Sequence, residues 1–164
     1  MRKITLIAAS LTALFASTAN AGDVQLVGFV PAVCEVTGLN TQLNDFGNLQ
    51  GANTASDIDF DVECNDVDGA NIEMISAEGG LESDDAEDQS MPYTATLAIV
   101  GYASDLVLNA PGGMGTNGAN VNQDYSAGGL LGGASATLSF STPGGASWSG
   151  GYSDTLTVQI NAAN

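Results

Sequence analysis

Four carboxylates stand at alternate positions in the stretch DIDFDVEC: Asp57, Asp59, Asp61 and Glu63, with Ile58, Phe60, Val62 and Cys64 between them. The DxDxD spacing is that of a calcium loop, which further needs glycine at its sixth position and glutamate at its twelfth. Those positions hold Val62 and Asp68, and large apolar residues fill the gaps. The row therefore reads as the solvated face of a strand, with a surface divalent-cation site as the alternative. General acid–base chemistry is the other use of carboxylates, and glycoside hydrolysis needs two of them facing one cleft. The chain has no histidine, its only basic residues are Arg2 and Lys3, and its acids gather on one strand face and one loop. No enzyme, cofactor or metal centre is expected from this inventory.

Period-two alternation is the repeat of an extended strand, so the elements that carry these acids are β-strands with one wet and one buried face. The chain opens MRKITLIAASLTALFASTANA: two basic residues, an apolar run from Ile4 to Phe15, and the small-x-small end Ala19-Asn20-Ala21. This is the form of a signal peptide over residues 1–21, which predicts export and a processed chain of 143 residues from Gly22 to Asn164. The apolar run is too short and alanine-rich to span a membrane, so no direct membrane insertion is expected. Processing removes both basic residues and leaves all 19 acids, 13 of them between Asp57 and Asp88. Such a surface repels nucleic acid and anionic lipid, favours cationic partners, and leaves no side-chain ion pair to stabilise the fold. The densest acidic stretch, residues 81–90 (LESDDAEDQS), reads as a solvated loop, with calcium binding as its alternative.

Cys34 and Cys64 are the only cysteines, and an even count in an exported chain makes one disulfide between them the default. Two thiols without histidine fall short of the usual four zinc ligands.

Along the rest of the chain, β-prone segments lie at residues 23–30 (DVQLVGFV), 57–64, 71–77 (NIEMISA), 93–103 (YTATLAIVGYA), 105–109 (DLVLN), 134–140 (ASATLSF) and 152–160 (YSDTLTVQI). Turn residues divide them, and residues 111–133 read as a long loop with at most a short strand. No window outside the signal has helical period. Seven or eight short strands imply an all-β sandwich in one domain.

The order of certain pieces resembles the pilin subunits of the chaperone–usher pathway, within them the archaic branch that includes spore coat protein U-like domains. The pieces are VQLVGFVPAVCEV (residues 24–36), NDFGNL (44–49), VEC (62–64) and GGYSDTLTVQI (150–160), which anchor both ends of the processed chain. The resemblance implies an immunoglobulin-like β-sandwich over residues 34–164 that is incomplete and is completed by a donor strand from a neighbouring subunit. It implies a structural subunit of a cell-surface fimbria, pilus or coat, serving adhesion or biofilm formation. Its partners would be identical or related subunits, a periplasmic chaperone and an outer-membrane usher. Residues 22–33 would then be the donor segment, with Val24, Leu26, Gly28 and Val30 on the inserted face, because the other parity would carry Gln25 into an apolar groove. Leu156, Val158 and Ile160 would line the acceptor groove from the final strand.

The alternative is a self-contained secreted β-sandwich binding module for carbohydrate or a cation. Trp148, Tyr152, Tyr125, Tyr102 and Tyr93 would supply its stacking faces, Trp148 in the turn before the last strand foremost.

Overall fold

The computed structural model describes residues 25–85, 89–115, 117–146 and 148–163. The expected signal peptide and Val24 lie outside the described residues. The chain divides into two compact units, Met1–Val30 and Pro31–Asn164. In the first, residues 25–30 are exposed and form no strand within the chain, although their composition is β-prone.

The second unit is mostly β. Its strands are β1 (Cys34–Thr37), β2 (Asn53–Thr54), β3 (Ile58–Cys64), β4 (Ala70–Ser76), β5 (Leu81–Ser83), β6 (Ser90–Met91), β7 (Tyr93–Ile99), β8 (Leu106–Ala110), β9 (Ala119–Tyr125), β10 (Ala134–Thr142), β11 (Tyr152–Ser153) and β12 (Leu156–Ala162), with a single helical turn, α1 (Ala127–Leu130). They form several separate sheets in a sandwich-like arrangement. The first has the order β1-β3-β10-β7-β8, with β2 pairing β10; the second is β12-β4-β9; the third, small, is β11-β5-β6. The paired neighbours within them run antiparallel.

The alternation explains the packing. On β3, Phe60, Val62 and Cys64 are buried while Asp59, Asp61 and Glu63 are exposed. On β4, Ala70, Ile72, Met74 and Ser76 are buried, and on β7 Tyr93, Ala95, Leu97 and Ile99. Their inward rows join one apolar cluster with Leu106, Leu108, Leu130 and Leu138. Fully burying one such leucine stabilises the fold by about 1.5–3 kcal/mol. The turn between β3 and β4 is tied by the Asp66 carboxylate, which accepts from the Asp68 amide at 2.9 Å. Gly69 closes that turn at φ +98°, and a Cβ there would stand 2.0 Å from the Tyr125 carbonyl oxygen, so only glycine fits.

The long-loop expectation for residues 111–133 is corrected: it holds β9, seven residues long, and α1. β9 is stabilised less by apolar content than by pairing along its whole length with β4, including Asn71 Nδ2 donating to Asp124 at 2.8 Å and Asn120 Nδ2 donating to Glu73 at 3.1 Å. The acidic stretch is likewise not all loop, since its flanks pair as β5 and β6.

Candidate binding groove

β12 gives the site Leu156, Thr157 and Val158. It pairs with β4 along Leu156 to Ala162, and among the described residues no strand pairs its other edge. β1, the outermost strand of the first sheet, comes close to β12 on that side without forming a ladder with it. Leu156, Val158 and Ile160 all face the core but stay half-buried, whereas the inward residues of β4 beside them are fully covered.

Next to this edge runs a groove of about 1090 Å³. One side is the coil of residues 39–50; the other is the chain from Trp148 to Val158; Ile58, Leu138 and Phe140 of the first sheet contribute apolar surface. Leu156 and Val158 line it, while Ile160 does not, so two of the three expected acceptor residues are brought together there. The coil is held by tertiary contacts. Phe46 packs at 6.4 Å from the Tyr93 ring and edge-on at 6.3 Å from Phe140. The Leu49 carbonyl accepts from the amides of Gly145 and Ala146 at 2.9 and 3.1 Å, and Asn44 Nδ2 donates to the Ser56 carbonyl at 2.8 Å. Just before these anchors Leu43 is 96% exposed and lines the groove. Phe46 and Leu49 escaped the sequence reading as groove residues; their only signal was two apolar residues three apart in a polar run.

At one end, Asp154 organises the entry to β12. Its carboxylate accepts from the hydroxyls of Ser76 and Tyr93, the latter at 2.7 Å, and from the amides of Glu78 and Thr155 at 3.0 and 2.7 Å. Four donors replace the cation that this chain does not supply, since a partly buried charge must be hydrogen-bonded to persist. Burial, and secondarily the neighbouring Asp154, push the Tyr93 phenol above its ordinary value.

The aromatic candidates separate. Trp148, Tyr152 and Tyr93 line the groove. Trp148 is 55% exposed, and its carbonyl accepts from the Tyr152 hydroxyl at 3.2 Å. Tyr102 and Tyr125 lie elsewhere, stacked edge-to-face at 5.0 Å. Tyr125 is buried with its hydroxyl unpartnered among the described residues, and its phenol too is pushed up by burial, then by Asp105 and Tyr102.

The acids take structural positions. Asp59 and Asp61 accept from the hydroxyls of Thr137 and Ser135 on β10 at 2.7 and 3.0 Å, as a solvated strand face does. Among the described residues no group of three or more His, Cys, Asp or Glu side chains is placed to hold a metal ion. Cys34 and Cys64 are direct partners across β1 and β3 and are joined by a disulfide.

No family model matches the chain, and no curated protein does. A solved structure titled "Xyl-CBM35 in complex with glucuronic acid containing disaccharide" is similar at 20% identity, covering 78% of this chain and 83% of that one, with a TM-score of 0.38. These findings correct the terms expected from the resemblance: fimbrium, pilus, chaperone–usher pathway, spore coat protein U-like, cell adhesion and biofilm. Neither a family model nor a curated relative ties the chain to them. The disulfide is the part of that set that the molecule contains.

Proposed function

We propose that this chain is a non-catalytic, exported binding module whose site is the groove along β12, and that its ligand is an extended chain. The observation behind this reading is the meeting of a groove floored by Ile58, Leu138 and Phe140 with a strand edge that no strand pairs among the described residues. A strand laid there gains main-chain hydrogen bonds from β12 and buries alternate side chains beside Leu156 and Val158. The finer fold reading is then an immunoglobulin-like sandwich short of one strand between β1 and β12.

The occupant that fits best is the segment of residues 25–30 from a second copy. It is uncharged, and it exposes Leu26 at 90% and Val30 at 78%, a cost in water that insertion removes. Leu26, Gly28 and Val30 share one parity, with Val24 continuing the row. A contact of this kind repeats head to tail without closing, which makes the chain a subunit of an assembly. The second reading, a glycan chain, is favoured by Trp148, whose half-exposed ring beside Tyr152 offers a stacking face.

Deletion of residues 22–30 tests the occupant. The shortened chain should stay monomeric in sedimentation and should bind a peptide of residues 24–30, with a change in Trp148 fluorescence. Self-association undiminished by the deletion would rule out the segment. Binding of oligosaccharides but not of the peptide would transfer the site to the glycan reading.

A further inference from the structure

We infer that self-assembly through the groove is gated by ionic strength: the groove admits an uncharged strand, but the bodies attached to such strands repel one another. The inference rests on the reading of residues 25–30 as the occupant.

Residues 4–164 contain 19 carboxylates and no basic side chain, so no cationic side chain on one copy is available to meet an acid on the next. The carboxylates nearest the groove's flank form a row on the outer face of β1 and β3. Glu35 lies directly opposite Glu63, a like-charge pair, and Asp61, Asp59 and Asp57 continue the row, all exposed. β1 is the sheet edge on the same flank as β12. Near the groove's other end, the Asp84 and Asp85 carboxylates lie against the backbone of Gly151 and Gly150. Among the described residues, the groove lining contains only Asp45 and Asp154 as charged groups, and Asp154 is already saturated by four donors.

The attraction and the repulsion thus have different ranges. Insertion of the segment depends on apolar burial and main-chain hydrogen bonds, which act at contact and respond weakly to chloride salts. Glu35 follows Val30 by five residues, so insertion draws the donor's acidic row to within about 17 Å of chain from the acceptor. That distance is less than about two screening lengths at 0.1 M salt and about six at 1 M. Low salt therefore holds the copies apart, and high salt leaves the neutral contact unopposed.

The test measures two equilibria over the same salt series. Sedimentation of the exported protein should show association tightening by about ten-fold or more between roughly 0.05 and 1 M NaCl. Association that is flat or weakens over that range overturns the gating. In parallel, the uncharged acetylated and amidated peptide of residues 24–30 should bind the chain lacking residues 22–30 with affinity constant to within about two-fold, since it carries no charge to screen. Failure of the peptide to bind at any salt would remove the groove reading itself, an outcome separate from salt-independent assembly. A variant with Asp57→Asn, Asp59→Asn, Asp61→Asn and Glu63→Gln should associate at lower salt and with a shallower salt response. The milder pair Glu35→Gln and Glu63→Gln serves the same purpose with fewer changes to the strand. An unaltered response in both variants would overturn the row's role as the barrier.

Discussion

The two flanks of the sandwich are built from the same alternating pattern and end differently. On one flank, β8 lies close to β9, and Leu106, Leu108, Ala110 and Tyr125 are all buried. On the other, β1 and β12 approach without pairing, and Cys34, Val36, Leu156, Val158 and Ile160 stay half-buried. Alternation specifies which face of a strand is apolar. It does not specify how fully that face is covered, and on the β1–β12 flank the covering is partial.

The sharpest way to break this comparison is to make the same truncation on both flanks. Leu108→Ala should destabilise the free chain by about 2–5 kcal/mol, because it removes a fully enclosed side chain and leaves a cavity. Leu156→Ala should cost about half as much or less, since water already reaches that side chain. Urea unfolding measures both. Equal losses would mean that the β12 flank is closed in solution. Addition of the groove's ligand should narrow the gap, because it completes the burial of Leu156.

The disulfide comes next in size and belongs to the open flank alone. β1 has one ladder, to β3, and Cys34 and Cys64 clamp it there across a separation of 30 residues. Replacing both cysteines with serine should cost roughly 3.5 kcal/mol by the chain-entropy relation. Amide exchange should speed up first at residues 34–37 and leave β8 and β9 protected. Uniform acceleration across both flanks would show that β1 is no more separable than the rest.

Asp154→Ala should cost about 2 kcal/mol, because it strands the buried Ser76 hydroxyl and the Tyr93 phenol together with two amides at the mouth of the groove. Calorimetry on the free chain reads this loss, and the peptide affinity of the variant should fall with it. A variant as stable as the parent would mean that water satisfies those donors.

How much of this was legible depended on whether apolar periodicity carried the element. β3, β4, β7, β10 and β12 announce themselves, because each has an uninterrupted apolar row at period two. β9 did not: its inward row includes Ala119 and Gln123, its outward row is Asn120, Asn122 and Asp124, and its position is fixed by laddering to β4 rather than by its own hydrophobicity. α1 was hidden by Gly128 and Gly129, poor helix formers; Gly129 is needed because the Tyr102 ring lies where its Cβ would be. For the groove, Leu156 and Val158 were readable from the final strand. The facing coil was not, since Phe46 and Leu49 are held by partners about 50 to 100 residues away in sequence, which no local pattern encodes.

The smallest effects come from the two raised tyrosines, one on each flank. Tyr93 donates to Asp154 beside the groove, whereas the Tyr125 hydroxyl on the closed flank has no partner among the described residues. Tyr93→Phe should therefore cost about 1 kcal/mol at neutral pH, while Tyr125→Phe should be neutral or slightly stabilising, since it removes an unpaired buried polar atom. Alkaline unfolding separates the two further. Both phenols have folded values above the ordinary value near 10. The stability they contribute is thus complete below pH 10 and is lost as pH rises through their folded values, because the unfolded chain releases its protons first. One pH unit above 10, Tyr93 should account for about 1.4 kcal/mol of the loss, and Tyr125 adds a share of the same sign. Either phenylalanine variant should flatten the alkaline limb by that share. If Tyr93→Phe leaves the limb as steep as before, the phenol beside Asp154 is open to solvent in the free chain, and water extends further into the unfilled flank than the half-buried β12 row indicates.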